Sequence, residues 1–112
     1  MSIESWSDNI YVVDLHDDPA FTDDLSAMLD QVGECNEADV VLNFAAVTHL
    51  NSSNIAKLLK LRKKLTQGKR RLVLCGISTN VWGLFLVTGL DKVFEFADDL
   101  ANGLATVQLA AG

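Results

Sequence analysis

The chain has 112 residues, 49% of them hydrophobic and 21% charged, enough for one domain whose core needs no disulfide or metal staple. Its net charge is −6, and no aromatic residues interleave with the basic ones, which argues against a nucleic-acid binder. The longest apolar block, around Val81 to Val87, is too short to span a bilayer. No signal-peptide pattern opens the chain, and Cys35 and Cys75 form no spaced motif, so a cytoplasmic protein with reduced thiols is expected.

Charge is unevenly placed. Eleven of the fifteen acids lie between Met1 and Asp39, whereas all nine basic residues follow residue 56 and eight of them fall between Lys57 and Arg71. An acidic side and a basic side are expected, suited to steering a protein partner.

In chain order, Ile3 to Trp6 reads as a short strand, Ser7-Asp8-Asn9 as a turn, and Ile10 to Leu15 as a clear strand. Asp17-Asp18-Pro19 reads as a helix start, with an acidic cap and proline at the first helical position. Phe21, Leu25, Met28, Leu29 and Val32 then recur at helical spacing until Gly33. Val40 to Phe44 is an apolar strand. Ile55 to Leu65 reads as an amphipathic helix with Ile55, Leu58, Leu59 and Leu65 on one face, closed by Gly68. Leu72 to Cys75 is a further strand. Ser78 or Thr79 caps a helix carrying Val81, Trp82, Phe85 and Leu86, which Gly89 ends. Val93 to Phe96 reads as a last strand, and Asp98 or Asp99 caps a final helix with Leu100, Leu104 and Val107.

Apolar strands alternating with helices imply an α/β fold: a small mixed, largely parallel sheet of four to five strands, with helices packed mainly on one face. Residues 1–112 are expected to form a single domain. In such sheets functional loops gather at the carboxyl ends of the strands. Asn51-Ser52-Ser53-Asn54 is one of these loops, where a buried strand hands over to a helix. The first helical N–H groups lack intrahelical partners and the macrodipole is positive there, so a serine can cap the helix or carry a phosphate. For Ser52 the structural alternative is a cap or near-cap. Ser53 reads as a first-turn hydroxyl, and Asn51 and Asn54 as residues that fix the loop through backbone hydrogen bonds.

Three stretches together resemble the STAS domain family, whose type members are bacterial anti-sigma factor antagonists. The first is Asn51-Ser52-Ser53-Asn54, where the family reads Asp-Ser-Ser/Ala-Gly. The second is Gly68-Lys69-Arg70-Arg71-Leu72-Val73-Leu74-Cys75-Gly76-Ile77-Ser78, similar to the family's next strand and loop. The third is Thr88-Gly89-Leu90-Asp91-Lys92-Val93-Phe94, similar to its Thr-Gly-Leu-Asp junction. Asn51 and Asn54 depart from the family's Asp and Gly, and Leu15-His16-Asp17-Asp18 stands where Gly-x-Leu-Asp is usual.

The resemblance implies a non-catalytic regulatory domain without cofactor or metal, phosphorylated at Ser52 by an ATPase-type serine kinase that is also the anti-sigma factor. The unphosphorylated form would bind that partner. Asn51, Ser52, Ser53, Asn54, Lys57 and Lys60 are the expected contact residues, on a monomer or weak dimer that neither inserts in a membrane nor binds nucleic acid. Two alternatives follow. One is a STAS subunit or adaptor of a membrane transporter complex. The other is a small receiver-like phosphotransfer protein, whose metal site Asp14, Asp17, Asp18, Asp23 and Asp24 could suggest but for the missing Asp after Val40 to Phe44. His16 and His49 have no paired ligand spacing, and Cys75 lacks the anion-binding loop and Arg of a thiol phosphatase.

Overall fold

A computed structural model describes residues 3–7, 9–32 and 38–111. Strand β1 (Ile3–Ser7) pairs antiparallel with β2 (Ile10–His16), and β2, β3 (Asp39–Ala46), β4 (Leu72–Cys75) and β5 (Glu95–Ala97) run parallel, in the spatial order β1-β2-β3-β4-β5. Helix α1 (Ala20–Val32) links β2 to β3, α2 (Ser52–Gln67) links β3 to β4, α3 (Thr79–Thr88) precedes β5, and α4 (Leu100–Ala111) follows it. Each crossover advances one strand in the same direction. With one handedness of connection, this puts α1, α2 and α3 on the same face.

The central strands β3 and β4 are largely buried on both sides, which is why Val40 to Phe44 and Leu72 to Cys75 read as apolar runs broken only by Asn43. Val13, Leu15, Val40, Leu42, Phe44, Leu72 and Leu74 pack with Phe21, Leu25, Met28, Leu58, Leu61, Leu65, Val81 and Phe85 of the three helices. Ile10, Val12, Val41, Val73 and Cys75 point the other way and are covered by α4 through Leu100, Leu104 and Val107. Gly103 lets α4 settle there: a Cβ at this position would lie 3.1 Å from the Val41 side chain.

Several details differ from the sequence expectation. Helix α1 begins at Ala20, one residue after Pro19. The buried stripe of α2 is Asn54, Leu58, Leu61 and Leu65, with Leu59 39% exposed. The spacing i, i+4, i+7, i+11 holds one face of a helix, and Leu59 sits about 100° around from Leu58. On α3, Val81 and Phe85 are buried but Leu86 is 50% exposed. A 3₁₀ turn, Leu90–Lys92, and the two residues after it occupy the stretch where the apolar pattern starts the last strand, so β5 begins at Glu95. Gly33 and Cys35 lie outside the described residues.

Candidate functional site

Asn51, not Ser52, caps α2. Its side-chain oxygen accepts from the Asn54 N–H at 2.8 Å, and the Asn54 oxygen accepts from the Asn51 N–H at 3.1 Å. This reciprocal pair satisfies two donors at a helix start that would otherwise be orphaned, as Ser/Thr with Glu/Gln does in the usual capping box. Ser52 and Ser53 are the first two helical residues, and both are exposed.

The two asparagines have a second task. Their amide Nδ2 groups both donate to Oδ2 of Asp18, at 3.1 Å from Asn51 and 3.0 Å from Asn54. The other Asp18 oxygen accepts from the Thr22 N–H at 3.0 Å and the Thr22 hydroxyl at 2.7 Å, which closes the start of α1. Next to it, Asp17 accepts from the N–H and hydroxyl of Thr48, at 2.9 and 2.6 Å. Two carboxylates after β2 therefore hold the loop after β3 at both ends. In this chain Asn51 and Asn54 each supply an amide donor to Asp18 that an aspartate or a glycine at those positions would lack.

The expectation that Asn54 belongs with the contact residues is corrected by its position. Asn54 is 3% exposed and its amide turns inward to Asp18, so it holds the loop and does not face a partner. Lys57 and Lys60 lie on α2 beyond the loop, and at 1.5 Å per residue Lys60 sits about 12 Å along the axis from Ser52. Part of the basic run is structural. Arg62 donates to the Val93 carbonyl at 2.8 Å, Arg70 lies 3.3 Å from buried Asp39, and Arg71 pairs with Glu95.

Hydrogen bonds from Thr22, then from the Asn54 amide, hold the Asp18 carboxyl down at about 2. Asp17 is lowered by Thr48 in the same way. The sign follows from linkage. A carboxylate with a depressed folded-state pKa stabilises the fold above its ordinary value of 3.8, and that stabilisation is lost as pH falls toward about 2. In urea unfolding, the gap in midpoint between the parent chain and Asp18→Asn is expected to be widest near pH 7 and to close between about pH 4 and 2. A gap independent of pH would show that the Asp18 charge is not what holds the loop.

Elsewhere on the carboxyl edge, the Asn43 amide donates to Asp14 at 3.0 Å, and its oxygen accepts from the Ala45 N–H at 3.1 Å. Gly76, at φ 70°, passes so close that a Cβ would lie 3.0 Å from that oxygen. The Cys75 thiol is buried and pushed up to about 11 by burial, then by Asp99 and Asp14, so it stays protonated at neutral pH. Among the described residues no group of three His, Cys, Asp or Glu is placed to hold a metal ion, and no helix is long and apolar enough to cross a membrane.

The STAS domain family model matches residues 12–103. The chain therefore belongs to the STAS domain family. Its fold is shared with solved structures at low identity. A single-residue variant of RsbS from Moorella thermoacetica is 20% identical, with 97% of this chain and 95% of that one covered and a TM-score of 0.82. An anti-sigma-factor antagonist (STAS) domain protein from Planctomyces limnophilus is 17% identical over 95% of this chain and 97% of that one, with a TM-score of 0.79. The anti-sigma factor antagonist SpoIIAA in its unphosphorylated form is 19% identical over 85% of each chain, with a TM-score of 0.71. The Bacillus SpoIIAA also has a phosphorylated form of the same fold. At these identities the likeness carries the fold, and the residues above carry the site.

Proposed function

We propose that this chain is a non-catalytic, cytoplasmic regulatory domain of the anti-sigma factor antagonist kind, switched by phosphate on Ser52. The observation that carries this reading is a division of labour at the start of α2. Asn51 and Asn54 do the capping and the anchoring, and the exposed Ser52 hydroxyl is left with no structural duty among the described residues. A phosphate on it would add about −1.5 to −2 charge at pH 7 to a loop flanked by Asp17 and Asp18. The helix N-terminus tolerates that charge, so the fold would persist while the surface seen by a partner changes. The partner is an anti-sigma factor of the ATPase-type serine kinase class, meeting Asn51, Ser52 and Ser53, with Lys57 and Lys60 along the helix steering its approach.

Mass spectrometry of the chain isolated from its own cells tests this. The first tryptic site is Lys57, so a chymotryptic digest cutting after Leu50 is the suitable one. The expected result is a single phosphate on Ser52. A chain unmodified across growth phases, or one modified only at Ser53 or Thr48, would overturn the proposal.

A further inference from the structure

Ile77, Trp82, Phe96, Ala97 and Asp98 line a cavity of about 240 Å³ at the carboxyl ends of β4 and β5. The site is separate from Ser52, which follows β3. The loop after β4 supplies Ile77, the first turn of α3 supplies Trp82, and the end of β5 supplies the rest. The Trp82 and Phe96 rings meet edge to face, with centroids 4.9 Å apart and planes at 86°. Both rings are only partly buried, so aromatic surface is left to the cavity. Asp98 is the one charged residue of the lining, and its exposed carboxylate has no hydrogen bond or ion pair with another described residue.

The wider surroundings have the same sign. The loops after β2, β3, β4 and β5 contain Asp17, Asp18, Asp98 and Asp99 and no Lys or Arg. The four helix N-termini at this edge offset that charge by about half a unit each, which leaves it negative. Aromatic faces attract cations, most strongly those of tryptophan. A carboxylate at the mouth of an aromatic cavity therefore selects a positive head on an apolar body and repels an anion. The volume lies below the roughly 300–1,000 Å³ of pockets for drug-sized ligands, so the ligand is small.

We propose that this cavity is a binding site for a small organic ammonium ion, its apolar body against Ile77, Trp82 and Phe96 and its charged nitrogen at Asp98. Proton–nitrogen correlation spectra of the full chain, titrated with 3-phenylpropylammonium, test it. Saturable shifts are expected at the Trp82 indole N–H and at the Ala97 and Asp98 amides. The uncharged 3-phenylpropanol should bind about tenfold more weakly, and 3-phenylpropionate not measurably. Asp98→Asn, at an exposed position that leaves the spectrum folded, should weaken the ammonium ion about fivefold. Absence of saturable shifts, equal binding of the alcohol, or an unchanged affinity in Asp98→Asn would each overturn the proposal.

Discussion

Asn54→Ala is expected to destabilise the chain by about 1–3 kcal/mol, the range for breaking the bonds of a buried polar group, and to lower the melting temperature by roughly 5–15 °C. The substitution removes the acceptor for the Asn51 N–H and one of the two amide donors to Asp18. It also leaves a void at the head of the buried stripe that continues through Leu58, Leu61 and Leu65. Circular dichroism melts of the two proteins measure the difference. The informative contrast is Ser52→Ala. That change removes an exposed hydroxyl two residues away and should move the melting temperature by no more than the small amount typical of surface positions, within about 0.5 kcal/mol. If Ser52→Ala proved as costly as Asn54→Ala, the hydroxyl would be a structural element and no longer free for modification.

The second large effect concerns binding. Ser52→Asp should weaken the partner at least tenfold, about 1.4 kcal/mol, with the melting temperature nearly unchanged, because an acidic residue in the first turn suits the helix dipole. Ser52→Ala should retain affinity. The asymmetry arises because the loop is already edged by the carboxylates of Asp17 and Asp18, both held close to it by hydrogen bonds. A partner adapted to that surface meets one further negative charge at the centre of contact. There, an unpaired charge removed from water is costly.

Much of the fold was legible because burial on both faces leaves a plain mark. Val40 to Phe44 and Leu72 to Cys75 are apolar at every position but Asn43, as parallel strands under two layers of helix must be. The end of α3 was readable, and the caps of α3 and α4 were narrowed to two neighbours each, because they depend on residues within one helical turn; the structure has Ser78 and Asp99. What was not legible depends on distance along the chain. Asp18 lies 33 and 36 residues from the asparagines it anchors. From sequence it is only an acid before a proline. The hint was present at the other end: two neutral amides in place of the family's Asp and Gly call for an acceptor, but nothing in the spacing says which one. The choice of Leu61 over Leu59 on α2 was a matter of phase, set by Asn54 occupying the first buried position. The structural part of the basic side was not legible because Asp39, Glu95 and the Val93 carbonyl, which engage Arg70, Arg71 and Arg62, come from other elements.

The most direct test is a titration of the proposed serine-kinase partner, recovered with the Ser52→Ala chain, against that chain and Ser52→Asp in turn. The switch predicts tight association for the alanine form and a loss of at least about tenfold for the aspartate form, with both melting alike. Equal affinities in two equally folded proteins would contradict it.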